Sequence, residues 1–291
     1  MNRFILQVLV AAICFALFGT AYFRLLDIYR AEGEKTVQKF SAANADKDTN
    51  VVVTANLVSI DPVKGDMVMR LQFDYEGDLV DDQGMLANAT TVFTNSTAGK
   101  ADAHYKKGES IQPQDVTLSL QGESSQFPWD KYTATLDITV SHEKVVDGEK
   151  ELVDVPVSVE MKAGLAGFRI EARELAQKGK KPPVSPTIVL DVQRAQSAMG
   201  FSVFIMCLIG LLTLMAFLVG LVVVVGGRKV ELAMLGWFGA LLFAMVPLRN
   251  AMPGAPPIGC VADFMSFFWA EAIIAVVLVA VVITWVCRKP S

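Results

Sequence analysis

Four long apolar runs constrain this chain more than any other feature of its 291 residues. The hydrocarbon core of a bilayer is about 30 Å thick, and roughly 20 apolar helical residues are needed to cross it. Three runs reach that length, the third is shorter, and only the fourth contains a charged residue, Glu271. We therefore predict four transmembrane helices and exclude a simple soluble enzyme and a fully disordered chain. The runs are Phe4–Phe23, Phe201–Gly227, Leu232–Leu248 and Phe264–Cys287.

The first run has a second interpretation as a cleaved signal peptide. Gly19 and Ala21 resemble a small-residue cleavage site, but the run is longer than the usual 7–15 apolar residues. Tyr22 and Phe23 follow at once and are typical of an interfacial aromatic belt. We favour an uncleaved anchor, and under both interpretations the segment that follows is exported.

Basic residues near the ends of the runs predict the orientation, because cytoplasmic loops carry an excess of Lys and Arg. Four spans place three basic sites on one side, which we assign to the cytoplasm. We predict a multi-pass protein of the cytoplasmic (inner) membrane, with both termini cytoplasmic and the segment between the first two spans outside. The sites are Arg3, Arg228–Lys229 and Arg288–Lys289. The exceptions on the outer side are Arg24, Arg30 and Arg249.

Between the first two spans, apolar and polar residues alternate with a period of two, which is typical of half-buried strands. The clearest segments are Met67–Tyr75, Tyr132–Val140 and Val153–Met161. Shorter candidates are Val51–Ile60, Thr90–Asn95, Val116–Leu120, Phe168–Ala172 and Thr187–Val192. About eight short strands separated by turn residues predict an antiparallel β-sandwich.

The predicted fold class is an α+β membrane protein, in which an exported antiparallel β-sandwich is joined to a bundle of four transmembrane helices. We place the N-terminal transmembrane helix at residues 1–30, a polar stalk at 31–49 and the extracytoplasmic β-sandwich domain at 50–197. A three-helix transmembrane region covers 198–291 and includes a stiff outer loop at 249–263, which contains three prolines.

The charge distribution excludes one class of partner. Residues 31–197 contain 18 basic and 26 acidic residues, a net charge of −8, and an acidic domain repels phosphate backbones. We therefore expect no nucleic acid and name as partners the lipid bilayer and other membrane or envelope proteins. None of the four cysteines lies in the polar domain, so no disulfide framework is predicted there.

We find no catalytic constellation in the sequence and predict a protein that is not an enzyme, with no cofactor and no metal. His104 and His142 lie in polar surroundings without a Cys, His or carboxylate at metal-ligand spacing. The sequence contains neither a nucleophile elbow nor a phosphate-binding glycine loop.

The most distinctive motif of the domain is the aromatic turn Phe127–Tyr132, with the sequence FPWDKY. We expect Phe127, Trp129 and Tyr132 to cap the open end of the sandwich core, while Pro128 turns the chain and Asp130 accepts backbone N–H bonds. The alternative is a contact with the membrane or with the outer loop, because Trp and Tyr suit that boundary.

The polar group inside the membrane half is Glu271, with Arg249 and Asp263 expected on the same side. A charged side chain within a span is costly and should face the bundle. Three roles stay open: a structural hydrogen bond or ion pair that fixes the outer loop, a proton or ligand site, and a subunit contact. Small residues recur every four positions in two spans and predict close helix packing. They are Ala12, Ala16 and Thr20, and Gly236, Ala240 and Ala244.

Two motifs resemble those of the bacterial membrane proteins grouped as domain of unknown function 4436. One is Leu248–Glu271, with the sequence LRNAMPGAPPIGCVADFMSFFWAE, and the other is the aromatic turn Phe127–Tyr132. The order of one span, an exported domain and three further spans also fits this family. The resemblance implies a topology and no assigned activity, so it adds no catalytic residue.

Together these observations predict an integral membrane protein that serves as a non-enzymatic accessory or scaffolding subunit of a cell-envelope assembly. The alternative is a small transporter or channel component that uses Glu271 as an intramembrane polar site.

Overall fold

The computed structural model describes residues 12, 16, 19–20, 22–24, 26–32, 36–41, 51–75, 77–99, 101–146, 149–175, 184–254 and 256–288. The chain divides into two compact units. The helical unit comprises Met1–Ile28, Ser124–Asp130 and Arg194–Ser291, and the β unit comprises Tyr29–Glu123 and Lys131–Gln193. The aromatic turn therefore divides after Asp130, since Phe127–Asp130 belongs to the helical unit and Tyr132 to the β unit.

Thirteen strands are present among the described residues and form three sheets with the orders β1-β11-β2-β3-β6, β10-β9-β4-β5 and β12-β13-β8-β7. The strands are β1 Thr36–Ser41, β2 Val51–Asp61, β3 Asp66–Tyr75, β4 Thr90–Thr94, β5 Asp102–Tyr105, β6 Gln114–Ser119, β7 Gln121–Gly122, β8 Lys131–Leu136, β9 Ile138–Val146, β10 Glu149–Val155, β11 Val157–Ala163, β12 Phe168–Glu174 and β13 Ile188–Arg194.

The pairing is not antiparallel throughout, which corrects the predicted antiparallel fold. Strand β11 runs parallel to β2, with Val159 opposite Val53. About a hundred residues separate the two strands, so no hairpin turn dictates their direction. On its other edge β11 pairs antiparallel with β1, which lies within the predicted stalk. Part of the predicted stalk at 31–49 is therefore an edge strand of the first sheet.

Two segments predicted as single strands each contribute to two sheets. Tyr132–Val140 divides at Asp137 into β8 and β9, and Val153–Met161 divides at Pro156 into β10 and β11. Pro156 has no backbone N–H to give to a ladder. At the other break, the Asp137 N–H donates to the side-chain Oδ1 of Asn95 at 3.0 Å. The alternation of apolar and polar residues continues through both breaks, because every second side chain is buried in the core both before and after each break.

The core of the β unit is one apolar cluster to which all three sheets contribute. In β3 the buried and less buried side chains alternate, as the period of two predicts. Fully buried members include Val53, Leu71, Val92, Leu136 and Leu190. Burial of such large aliphatic side chains supplies most of the driving force for folding of a domain without disulfides.

The helical unit is built from long apolar helices. The described residues between 12 and 32 are all helical, and their continuous stretch 26–32 is labelled α1. Helices α2 Gln196–Val224, α3 Leu232–Asn250 and α4 Phe268–Cys287 follow, and a π-helical turn, Asp263–Phe267, leads into α4. Three described segments are long and apolar enough to cross a membrane: Gln196–Val224, Leu232–Asn250 and Asp263–Cys287. Most of the predicted first span lies outside the described residues.

Close packing of α2 against α4 occurs at a glycine that the sequence patterns did not identify. A Cβ atom added to Gly220 would lie 2.2 Å from Cγ1 of Val277, so only glycine permits this approach. By contrast, Gly236, Ala240 and Ala244 are exposed, as are Ala12, Ala16 and Thr20. The prediction that these stripes mediate helix packing is wrong for the contacts of the described residues, because a spacing of four defines a helix face but not its neighbour.

The C-terminal end of α2 is closed by an arginine from the end of α4. Arg288 Nη2 donates to the carbonyl oxygens of Val223 at 3.0 Å and Val224 at 3.3 Å, and Nη1 donates to that of Arg228 at 2.5 Å. The last carbonyls of a helix have no partner within it, and a cation there also complements the helix dipole.

Candidate functional site

The polar centre of the helical unit is a buried ion pair between Arg249, at the end of α3, and Asp263, at the start of the π-helical turn. Arg249 Nε donates to Oδ1 of Asp263 at 2.8 Å, and Nη2 donates to Oδ2 at 2.7 Å. The exposed fractions of the two side chains are 6% and 0%. This two-point geometry is the strongest that arginine and a carboxylate can form.

The same two side chains also bind the backbone of the loop between them. Arg249 Nη2 donates to the carbonyl oxygen of Pro257 at 2.9 Å, and the Gly259 N–H donates to Asp263 Oδ2 at 2.8 Å. Cys260 lies fully buried beside this network, and its burial raises the pKa of its thiol. The pair therefore fixes the path of a loop whose described residues from 251 to 260 form only turns and irregular backbone.

A second buried ion pair lies in the helical unit and involves an arginine that sequence reasoning missed. Arg194 Nε donates to Asp130 Oδ2 at 3.0 Å and to Oδ1 at 3.2 Å. The guanidinium carbon of Arg194 also lies 5.0 Å from the centre of the Phe127 ring, within the range of a cation–π interaction. The available signal was the position of Arg194, the last charged residue before a long apolar helix.

The Phe127–Asp130 part of the aromatic turn packs within the helical unit. Phe127 is buried in the apolar cluster of that unit, and its carbonyl oxygen accepts a bond from the Ala262 N–H at 3.2 Å. The expectation that Phe127 caps the β core is therefore wrong, and its alternative, a contact with the outer loop, is the observed one. The sequence could not choose between them because both environments are apolar.

The remaining residues of the turn have separate surroundings. Pro128 is buried, and Trp129 remains 43% exposed. Tyr132 is buried in the core of the β unit, where it was expected. Asp130 accepts from the guanidinium of Arg194, a donor that the sequence did not predict.

Glu271 lies apart from these ion pairs, two turns into the last span. Its Oε1 atom is buried and has no hydrogen-bond partner among the described residues. Eight residues separate it from Asp263, a rise of about 12 Å along a helix, which is beyond the reach of the Arg249 side chain. The ion pair that fixes the outer loop is thus Arg249–Asp263, without Glu271.

Two titratable groups of the β unit, His104 and Asp102, form a surface pair. His104 Nε2 lies 2.9 Å from Asp102 Oδ2, and its Nδ1 lies 3.0 Å from Thr91 Oγ1, and the side chains of His104 and Asp102 are 68% and 48% exposed. Across the described part of the chain, no three His, Cys, Asp or Glu side chains are grouped so that they could hold a metal ion.

Comparison with known families identifies both halves of the chain. A family model described as Domain of unknown function (DUF4436) matches residues 40–192, more than half of the chain. The chain belongs to the DUF4436 family. A second model, described as Domain of unknown function (DUF8686), matches residues 194–288. A search of curated proteins finds no match.

The two motifs that suggested the family lie in two different matches. The aromatic turn Phe127–Tyr132 lies inside the DUF4436 match, whereas the longer motif Leu248–Glu271 lies inside the DUF8686 match. The DUF4436 match is thus confined to the β-rich half, and the boundary between the models falls at residue 193, just before Arg194.

Proposed function

We propose that this chain is a non-enzymatic accessory or scaffolding subunit of a cell-envelope assembly. In this proposal four helices span the inner membrane, both termini are cytoplasmic, and the DUF4436 region forms a β-sandwich outside. The proposed role is argued from what the buried charged side chains bind. Arg249 pairs with Asp263, Arg194 pairs with Asp130, and the first pair also binds loop backbone, so these charges support a shape and offer no free acid, base or nucleophile.

The outward faces of the helices support an association with other membrane components. Phe243 on α3 is 83% exposed, and Ile258 in the outer loop is 85% exposed. A helix with apolar residues on its outward face is compatible with lipid or with a neighbouring helix. Merely anchoring a domain requires a single span, so additional spans favour an assembly role.

Two experiments test this proposal. A reporter fused after Ser110 should be active outside the cytoplasm, and a cytoplasmic reporter would contradict the topology.

A photoreactive amino acid at position 243 should cross-link the chain to defined protein neighbours in intact membranes. A chain that cross-links to no protein and purifies as a lone monomer in several mild detergents would contradict the subunit role.

A second candidate function is a small transporter or channel component with Glu271 as its polar site. It is favoured by the buried Oε1 atom, which the described residues leave without a partner. Glu271→Gln should then change ion or solute flux in reconstituted vesicles. Glu231→Gln, which alters an exposed carboxylate before α3, is the matched control. Equal flux in the wild type and in the folded Glu271→Gln variant would exclude this function.

A further inference from the structure

A groove of about 410 Å³ lies between α2 and the segment formed by the π-helical turn and α4. Its floor contains the buried residues Thr213, Ser266 and Ala270, and its walls include the exposed side chains of Phe217 and Trp269. We propose that this groove binds one hydrocarbon chain of a bilayer lipid. This inference rests on the membrane placement in the proposed function but not on the scaffolding role.

The positions of two glycines in α2 explain where the groove lies. At Gly220, a Cβ atom would collide with Val277 of α4, so the two helices touch there. Nearer its N-terminus, α2 carries Gly210, and a Cβ atom there would have no neighbouring atom within 4 Å. Gly210 lines the groove, so a residue without a side chain leaves part of this space open.

The lining of the groove calls for an apolar occupant. None of the described residues that line it is charged, and the two hydroxyl groups among them already donate within their own helices. Thr213 Oγ1 donates to the carbonyl oxygen of Ile209, and Ser266 Oγ donates to that of Ala262, each at 2.8 Å. A ligand with a charged or strongly polar group would lose its hydration here without compensation.

The dimensions of the groove match one acyl chain better than a helix. From Met206 to Phe217, α2 rises about 16 Å, which is about half of the 30 Å hydrocarbon core and therefore one leaflet. A helix about 10 Å wide would fill roughly 1,200 Å³ over that length, which is more than the empty space of the groove even when open solvent is included, about 800 Å³.

The groove lies on one side of the middle of the last span. Its lining residues are central in α2 and fall in the N-terminal half of Asp263–Cys287, the segment that directly follows the outer loop. In the proposed orientation the groove extends from the outer leaflet toward the centre of the bilayer. Each methylene transferred into a complementary apolar site gains dispersion contacts with the walls of that site.

The experiment uses the full-length chain in phosphatidylcholine vesicles that contain a phosphatidylcholine with a diazirine on one acyl chain. After illumination, labelled peptides are identified by mass spectrometry. We expect labelling to concentrate on peptides that contain Met206–Phe217 and Met265–Ile273. Gly210→Leu should lower this labelling about tenfold by filling the groove. Gly239→Leu is the matched control, because Gly239 also has no neighbour within 4 Å and does not line the groove.

The following outcomes would overturn the inference, and the first of them rejects the lipid site without rejecting the membrane placement. Labelling around Phe243 with none in the groove places the helices in the bilayer and rejects the site alone. Absence of label on all the helices rejects the membrane placement itself. A disulfide between copies that carry Leu214→Cys would make a second copy the occupant. If Gly210→Leu does not fold, Leu214→Trp on the exposed wall should block the groove, and unchanged labelling of that variant rejects the site.

Discussion

Arg249 and Asp263 form a buried two-point ion pair across the loop that joins α3 to the last span. Nε and Nη2 donate to the two carboxylate oxygens at 2.8 and 2.7 Å. Nη2 also donates to the carbonyl oxygen of Pro257, and Oδ2 of Asp263 also accepts from the Gly259 N–H. Thirteen residues, three of them prolines, lie between these two charged side chains, which bind the loop backbone at Pro257 and Gly259.

Removing one charge from this pair should strongly destabilise the chain. Asp263→Asn leaves the guanidinium of Arg249 buried without its counter-charge, and a broken buried pair typically costs about 3–5 kcal/mol. The free energy of unfolding in detergent is the measurement. Asp115→Asn is the control, because the Arg70–Asp115 pair has the same geometry but is about half exposed and should contribute little. Equal losses in the two variants would contradict a structural role for the buried pair.

Gly254 should tolerate alanine less well than Gly259 does. Both glycines have a positive φ, +77° and +89°, which costs another residue about 1–2 kcal/mol. Only at Gly254 would the new Cβ also lie 2.6 Å from Nη1 of Arg194 and disturb the Arg194–Asp130 pair. Gly254→Ala should therefore lower the melting temperature more than Gly259→Ala. An equal decrease would show that Arg194 moves aside without cost.

The Cys260 thiol should react slowly with maleimides. It is fully buried, and burial raises the pKa of the thiol, so less of the reactive thiolate is present at neutral pH. In a chain without the other three cysteines, the labelling rate should continue to rise above the pH at which an ordinary thiol levels off. Ile258→Cys with Cys260→Ser is the exposed control. Asp263→Asn should accelerate the labelling of Cys260 by loosening the loop, and an unchanged rate would contradict this link.

Gly220 should be intolerant of a side chain unless Val277 is reduced. Gly220→Ala places a methyl group 2.2 Å from a β-branched side chain, and overpacking of this kind typically costs about 1–3 kcal/mol. Val277→Ala should recover part of that loss in the double variant, as unfolding in detergent would measure. Gly236→Ala, where the added methyl has open space, should be nearly neutral. Additive effects of Gly220→Ala and Val277→Ala would exclude the contact.

Strands with a buried face could be predicted closely from the sequence, whereas three of the six terminal strands were missed. Strands β2, β3 and β13 begin within a residue of their predicted positions. The missed strands β1, β5 and β7 are all terminal strands of their sheets. A terminal strand covers less of the core, so its side chains need not alternate between apolar and polar types.

For the candidate site, too, the sequence predicted some of the residues and missed others. Sequence reasoning identified Glu271 inside the predicted last span and Arg249 and Asp263 near the ends of predicted spans, because charge is rare in apolar segments. It could not say which of them pair, and it missed Arg194 altogether. Asp130 and Arg194 are 64 residues apart, and only the folded chain brings them to bonding distance.

The sequence by itself determined which segments are apolar helices and which are strands, because these depend on the local period of the side chains. Only the tertiary structure decided the partners: Arg249 with Asp263, Arg194 with Asp130, and Gly220 with Val277. The physical reason is that periodicity specifies a face of one element, while the choice of neighbour depends on shape, charge and chain path summed over the whole unit.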